Sequence, residues 1–414
     1  MISYNDALDC IRKTARTCNL GTEHVRLSDA VGRIAAENLT SAIDIQPFEN
    51  AAMDGFAVHL KDIENATAKA PVTLLKSGTV GAGDHKMDSV LESGFCYQVM
   101  TGALLPKGTE AIVPIEDVIV HDHQVTFRAP TTAGKHIRFA GEDFKKGMVL
   151  PLAGEALLPA HILPLATLGT STVSVYKKPR ILFIPTGAEL IEDLSAPLAM
   201  GQIYNSNAYF AYAFLTSCGA DVTQHPIIMD DISAFALAIE HAQAENYDIV
   251  ISSGAVSAGA YDFIAEGLRS QKANILYHKV KLKPGKPNLF ATLPNGALYF
   301  GLPGNPVATA AGLRFFVTAA LRVLQGQPIE KPIYARAMNK FVKKAGLHTI
   351  LKSHFETWED GSLSVDILDG QESFMVRPFL KMNSWFHMPE DTTMVKAGDV
   401  LEFYPFSPMG LISA

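Results

Sequence analysis

The sequence predicts a multidomain α/β and β protein whose centre is a doubly wound α/β domain with a mostly parallel sheet. Three observations carry this. The chain has 414 residues, more than a single hydrophobic core ordinarily serves. Between residues 178 and 327, apolar strand-like runs alternate with helical stretches, the pattern of a parallel sheet covered by helices on both faces. On both sides of that segment, short β runs are separated by Gly and Pro instead.

Taken in order, Ser3 is placed to N-cap a helix running to about Thr17, and a second helix is expected to begin at Ser28. Residues 43–58 read as irregular. The runs 72–75, 97–100, 111–114 and 118–120 form a β-rich insertion. From 147 to 175 a helical stretch carries Pro159 and Pro164, followed by a short strand. Lys177-Lys178-Pro179-Arg180 looks like a linker. Strands are expected at 180–185, 221–228 and 247–252, with helices at 205–218, 232–244 and from Asn305 to about Leu324. Beyond 331 the chain reads as β again. Asp360-Gly361 signals a hairpin, and 400–404 a last strand. The expected domains are a discontinuous N-terminal α-containing domain (1–45 plus 141–177), a β-rich inserted domain (46–140), the central α/β domain (178–327) and a C-terminal small β-barrel (328–414).

A net charge of −7 argues against general binding of nucleic acid or of anionic membranes, both of which need a basic surface. The four cysteines show neither CxxC nor zinc-site spacing and read as thiols of a reducing compartment. Asp6 and Asp9 stand where an export signal would need an apolar run, and Arg314 and Arg322 interrupt the most apolar helix. A cytoplasmic protein is expected.

In open α/β sheets, ligands bind beyond the carboxyl ends of the strands. Four loops are predicted at that edge. The first is Pro185-Thr186-Gly187-Ala188-Glu189. The second runs from Ser253-Gly254-Ala255 to Tyr261-Asp262. Their small residues would let backbone N–H groups approach an anion, although a tight strand-to-helix turn uses the same residues. The third loop holds Lys279, Lys281, Lys283 and Lys286, four lysines within eight positions. Period two puts Lys279, Lys281 and Lys283 on one face of a strand, where like charges repel unless an anion answers them. A solvated edge strand is the alternative. In the fourth loop, Pro303-Gly304-Asn305-Pro306, Asn305 is placed to cap and Pro306 to open a helix whose N-terminus favours anions. Asp230, Asp231, Asp262 and Glu189 supply hard oxygen ligands suited to Mg²⁺, unless Asp230 or Asp231 serves as a helix cap. Together the four loops point to a phosphorylated small molecule.

The stretches Asn50-Ala51-Ala52-Met53-Asp54-Gly55-Phe56, Thr101-Gly102-Ala103 and Arg138 to Asp143 have no assignment from local physics. With the four loops, however, they resemble, in order and over nearly the whole chain, the molybdopterin molybdenumtransferases, the family that includes the E domain of gephyrin. The resemblance implies a homodimer of four-domain subunits, with the site shared between the central domain of one subunit and the inserted domain of the other. It implies Mg²⁺ as cofactor, molybdate and adenylylated molybdopterin as substrates, and Mg-dependent cleavage of the phosphoanhydride with release of AMP. Asp54, Thr101, Glu189, Lys279 and Lys283 are then the expected catalytic residues. Arg138, Asp143, Thr186, Ser253, Gly254, Lys286, Pro303, Asn305 and Pro306 would bind the pterin, and Asp230 and Asp262 the metal. Molybdopterin adenylyltransferase and molybdoenzyme maturation proteins are the expected partners, with no nucleic acid and no membrane. The chain departs from the family pattern at Ala255, where a second glycine is usual, and at Ala188, where an acidic residue is usual. It departs again at Leu347, where an Arg is usual, and at Met375-Val376-Arg377-Pro378. A weakened paralogue acting as a molybdopterin-binding or scaffold protein is therefore the competing expectation, and a nucleotide hydrolase a third.

Overall fold

The computed structural model describes residues 1–84, 89–255 and 263–407. They form two compact units. The first comprises Met1–Glu37, Leu152–Leu158 and the chain from Thr172 onward. The second comprises Asn38–Pro151 and Pro159–Ser171.

The first unit is built on a six-stranded sheet in the order Asp221–Gln224, Arg180–Pro185, Ile249–Ser253, Leu298–Leu302, Leu289–Thr292, Asn274–His278. The first four strands are parallel, and Leu289–Thr292 runs opposite to them, pairing antiparallel with both Leu298–Leu302 and Asn274–His278. The central strands are buried on both faces, which explains why they read as continuous apolar runs. Helix Ser206–Ser217 and helix Pro306–Leu324 cover one face. Helices Ile232–Ala244 and Ile264–Ser270 cover the other. The strand expected over 221–228 ends at Gln224; Ile228 makes only an isolated bridge with Thr186.

Helix Tyr4–Ala15 starts where expected: the Ser3 hydroxyl accepts from the Asp6 N–H at 3.1 Å. Its buried Tyr4, Ala7, Leu8, Ile11 and Ala15 recur at helical spacing and join the core that contains Phe316 and Ala320. No second helix begins at Ser28. Leu27–Asp29 makes a single 3₁₀ turn, none of whose side chains is buried, so an α-helix there would have no face to pack.

Helix Pro306–Leu324 is long and apolar enough to cross a membrane by length and composition, but 83% of that window is buried inside the protein. Its middle is a π turn, Leu313–Val317, carrying Arg314 at 1% exposure. Both Arg314 terminal nitrogens bond Glu330, at 2.9 and 2.6 Å, and its Nε donates to the Pro405 and Phe406 carbonyls. A buried guanidinium needs such complete pairing, because an unanswered one would cost several kcal/mol, roughly 3–5 for a broken pair.

The C-terminal part of this unit is a closed five-stranded barrel. His348–Thr357, Leu363–Ile367, Ile333–Ala337, Val400–Pro405 and Ser384–Met388 pair in turn, and the last returns to the first. Asp360-Gly361 makes the expected hairpin, with Gly361 at φ +79°. Buried at the barrel's junction with Tyr4 is an imidazole pair, His348 Nε2 to His387 Nδ1 at 3.1 Å. The Tyr4 ring stacks on His348 at 4.2 Å, and His387 Nε2 has no partner.

The second unit carries another six-stranded sheet, in the order Ala111–Pro114, Gly55–Val58, Phe95–Val99, Val72–Val80, Gln124–Phe127, Val118–His121. Phe56, Val58, Leu74, Cys96, Val125 and Phe127 form its core. Residues 43–58 are less irregular than expected: Asn50–Ala51 pairs with Ile137–Arg138, and Gly55–Val58 is a central strand.

Burial holds the folded His348 down at about 4, with the Lys343 charge acting the same way, and holds His387 well below its ordinary range. A depressed imidazole contributes stability that is complete above the unfolded value of about 6.5 and is lost as pH falls from there through the folded value. The unfolding free energy should therefore fall below pH ~6.5 with a slope of up to ~1.4 kcal/mol per pH unit for each imidazole. His387→Leu should remove about half of that slope. Denaturant melts at pH 7, 6 and 5 check this; a stability unchanged between pH 7 and 5 would contradict it.

Candidate functional site

Three parallel strand ends meet at one point of the first unit. The Thr186 N–H and hydroxyl both donate to the Ser253 carbonyl, at 2.9 and 3.2 Å. Gly254 N–H donates to the Leu302 carbonyl at 3.0 Å. Gly187 N–H donates to the Ile228 carbonyl, also at 3.0 Å. These N–H groups are spent within the protein, so the small residues here do not form an open anion cradle. Gly254 is required for a different reason. It sits at φ +108°, and a Cβ would lie 2.4 Å from the Thr186 carbonyl oxygen. Ala255 follows at φ +49°, a conformation costly for a residue with a Cβ. Residues 256–262, and with them the expected metal ligand Asp262, lie outside the described residues.

The 303–306 loop closes over this point. Ser253 Oγ and Thr309 Oγ1 both donate to the Pro303 carbonyl, at 3.3 and 2.5 Å. Asn207 Nδ2 spans Ser253 Oγ and the Gly304 carbonyl, at 2.9 and 2.8 Å. Asn305 occupies the N-cap position and Pro306 opens the helix, but the Asn305 side chain makes no capping bond. The Asn305 carbonyl instead accepts from the Thr309 hydroxyl at 3.2 Å, and the Val307 N–H donates to Ser373.

The lysine loop lies against the first turn of that helix; a side chain at Gly285 would come 3.8 Å from the Ala308 carbonyl. Lys279, Lys281 and Lys283 do not share one face of a strand. Asn274–His278 ends before Lys279, which turns at φ +80°, and only Leu282–Lys283 is extended again. The turn separates their roles. Lys281 is paired with Glu390 at 3.5 Å. Among the described residues no carboxylate is ion-paired with Lys279, Lys283 or Lys286. Lys283 and Lys286 are exposed and flank a cis Lys283-Pro284 bond and buried Gly285. Asn288 Nδ2 bonds the Gly285 carbonyl, while the buried Asn288 Oδ1 has no partner.

The carboxylates divide similarly. Asp231 caps helix Ile232–Ala244, accepting from Ser233 and Ala234. Asp230, at φ +41°, is exposed and does not cap. Glu189 is exposed, and its carboxylate folds back so closely that a Cβ on Gly187 would meet it at 2.6 Å. No group of three His, Cys, Asp or Glu side chains is close enough to hold a metal among the described residues.

In the second unit, Asp54 Oδ1 accepts from both the Thr101 N–H at 2.7 Å and its hydroxyl at 2.8 Å. The N–H bond first, and the hydroxyl second, hold the Asp54 carboxyl below its ordinary range. Asp54-Gly55 is thus no simple turn: Gly55 enters a central strand where a Cβ would lie 2.3 Å from the Val113 carbonyl oxygen. Arg138 donates to the Ala52 carbonyl at 3.4 Å, so Asp54, Thr101 and Arg138 gather around residues 50–54. Asp143 lies outside this set; its N–H donates to the Ile45 carbonyl at 2.9 Å. Asn50 is 3% exposed with its Oδ1 unpartnered.

Sequence inspection passed over Asn207, Asn288 and Thr309. The available signals were a polar Asn207 in the first turn of an otherwise apolar helix and Thr309 four positions after Asn305, which puts its hydroxyl back on the cap.

Gly254→Ala should destabilise the protein by about 2–4 kcal/mol, because backbone would have to move to admit the methyl group. A denaturation midpoint equal to the parent's would refute the close approach. Thr101→Val should raise the Asp54 titration midpoint toward the ordinary carboxylate value while leaving it partly depressed, since the Thr101 N–H remains. Carboxyl-carbon NMR titration reads this directly, and an unmoved midpoint would remove the hydroxyl from the account.

The geometry can be set beside known proteins. Residues 2–169 match the MoeA N-terminal region (domain I and II), and residues 182–323 match a probable molybdopterin binding domain. The molybdopterin molybdenumtransferase of Synechococcus elongatus is 30% identical over 403 residues, covering 97% of this chain and 99% of that protein. That of Haemophilus influenzae is 33% identical over 390 residues, covering 93% and 94%. The crystal structure of the molybdopterin biosynthesis MoeA protein from Pyrococcus horikoshii superposes with a TM-score of 0.82 at 28% identity, over 97% of this chain and 99% of that one. With such matches running along nearly its whole length, the chain belongs to the molybdopterin molybdenumtransferase family.

Proposed function

We propose that this protein inserts molybdate into adenylylated molybdopterin in molybdenum cofactor biosynthesis, with cleavage of the phosphoanhydride and release of AMP. The observation that carries this reading is the division among the lysines. Lys281 is neutralised by Glu390, while Lys279, Lys283 and Lys286 carry charge that no described carboxylate answers, beside a closely packed set of strand ends. An ammonium on a flexible stem acts as a compact point charge that can meet a tetrahedral oxyanion or a phosphate from any direction.

In this reading Lys279, Lys283 and Lys286 hold molybdate and the pterin phosphate. Thr186, Ser253 and Gly254 set the floor on which the pterin rests, and Pro303, Asn305 and Pro306 shape its rim. Asp230 and Asp262 would hold Mg²⁺, with Glu189 nearby to orient water. A bound Mg²⁺ supplies Lewis-acid polarisation of the anhydride oxygens. Asp54, kept ionised by Thr101, would position water or substrate, with Arg138 and Asp143 as further contacts. A homodimer is part of the proposal, the Asp54 group of one copy serving the lysine loop of the other. The reading also takes the reaction to be cytoplasmic, with molybdopterin adenylyltransferase supplying the substrate.

Ala188 is exposed and offers no ligand, and the Leu347 carbonyl accepts from Lys343 at 2.8 Å. A binding protein without turnover is the second reading these departures favour. Expression in a strain lacking its own molybdenumtransferase, read out by nitrate reductase activity, separates the two. Restored activity is expected; a correctly folded protein that restores none would favour the binding protein. Lys283→Ala should lower the rate by about a hundredfold or more, as for loss of a charge aimed at the reacting anion. Lys281→Ala should change it by less than about threefold, because Lys281 is already paired with Glu390 in a half-buried, partly solvated ion pair. Equal effects of the two substitutions would overturn the assignment.

A further inference from the structure

The C-terminal barrel buries one ammonium group. Lys352 lies in strand His348–Thr357 at 1% exposure, among the largest fully buried side chains of the protein. Its Nζ donates to two backbone carbonyls, Glu372 at 3.2 Å and Met375 at 2.9 Å. Its main chain holds the same segment. Gln371 Oε1 accepts from the Lys352 N–H at 2.9 Å, and the Lys352 carbonyl accepts from Gln371 Nε2 at 2.8 Å and from Leu368 N–H at 3.1 Å. One residue therefore ties down residues 368–375 through five hydrogen bonds.

A buried ammonium is a costly way to fasten a loop. Burial pushes Lys352 down to about 8, with the Glu372 charge opposing that shift. A stable barrel alone would be served as well by an apolar side chain. What the ammonium adds is direction: it fixes where two carbonyls point and so where the peptide between them lies. That peptide contains Ser373, whose carbonyl accepts the Val307 N–H at 3.1 Å. Val307 is in the first turn after Asn305 and Pro306. The same segment also lines a cleft of about 570 Å³, in which Ser373 and Phe374 share the wall with Lys283 and Lys340 and with the carboxylates of Asp369 and Glu372.

We propose that Lys352 is a positioning residue, whose hold on the carbonyls of Glu372 and Met375 sets Ser373 against the helix start at Val307 and shapes the anion cleft beside Lys283. The inference rests on the reading given under Proposed function, since it assigns the cleft to that reaction's anions. Lys352 does not touch the substrate. It acts through Ser373 and Val307, so it governs binding more than the chemical step.

The test uses the full-length protein and AMP release from adenylylated molybdopterin, with molybdate and the pterin varied in turn. Lys352→Met keeps the stem and removes the donors. It should raise the KM of one of the two anions about tenfold and change kcat by less than about twofold. Amide exchange at Val307 and across 371–376 should accelerate about tenfold, and Lys352→Arg, which keeps a cationic donor, should restore part of both. Should Lys352→Met not fold, Gln371→Ala loosens the same segment and should raise the same KM. Unchanged KM values overturn the proposal, as does a fall in kcat at constant KM or a shift in KM without faster exchange. A parent protein that releases no AMP would fail the underlying reading instead, and that result is seen before any variant is made.

Discussion

The first unit depends on how closely three strand ends approach one another at Gly254. The Thr186 carbonyl and hydroxyl leave no room for a Cβ at Gly254, whose N–H is held by the Leu302 carbonyl. That contact fixes the relative height of the loops after Arg180–Pro185, Ile249–Ser253 and Leu298–Leu302, the floor on which the proposed function places the pterin. It also assigns the donors. Because the backbone N–H groups of Thr186, Gly187 and Gly254 are spent on holding the loops together, negative charge has to be met by side chains. Lys279, Lys283 and Lys286, which no carboxylate among the described residues pairs, are side chains of the required sign.

The site is arranged by subtraction as much as by addition. Of neighbouring acids, Asp231 is spent on a helix cap and Asp230 is left exposed. Of neighbouring lysines, Lys281 is spent on Glu390. Asn305 stands at a helix start without capping it, while Thr309 reaches back to steady the same loop. Local structure thus consumes some polar groups and leaves others available, a distinction that composition alone does not make.

Much of the architecture was legible in the sequence. Continuous apolar runs such as 249–253 mark parallel strands buried on both faces, Ser3 marks the first helix start, and Asp360-Gly361 marks the barrel hairpin. The loops at the strand ends were legible because Gly and Pro punctuate them. What failed was one level finer. The alternation of the lysines predicts one strand face, but a left-handed turn at Lys279 breaks the period, and no residue-type pattern announces a positive φ at a lysine. Ser28 had a capping side chain but no apolar face to follow it. At Gly254 the missing Cβ admits the Thr186 carbonyl of a neighbouring strand end, a use that the residue type alone does not distinguish from the approach of an anion. Asn207 and Lys352 were invisible because their backbone-carbonyl partners are distant in sequence, and Asn288 because its partner, the Gly285 carbonyl three residues back, is set by a turn that the residue types do not announce.

The claim tested most directly is that this arrangement turns over. Purified protein supplied with adenylylated molybdopterin and Mg²⁺ should release AMP only when molybdate is added, one AMP for each molybdenum-loaded pterin able to activate a cofactor-free molybdoenzyme. Tight pterin binding without molybdate-dependent AMP release would contradict the account.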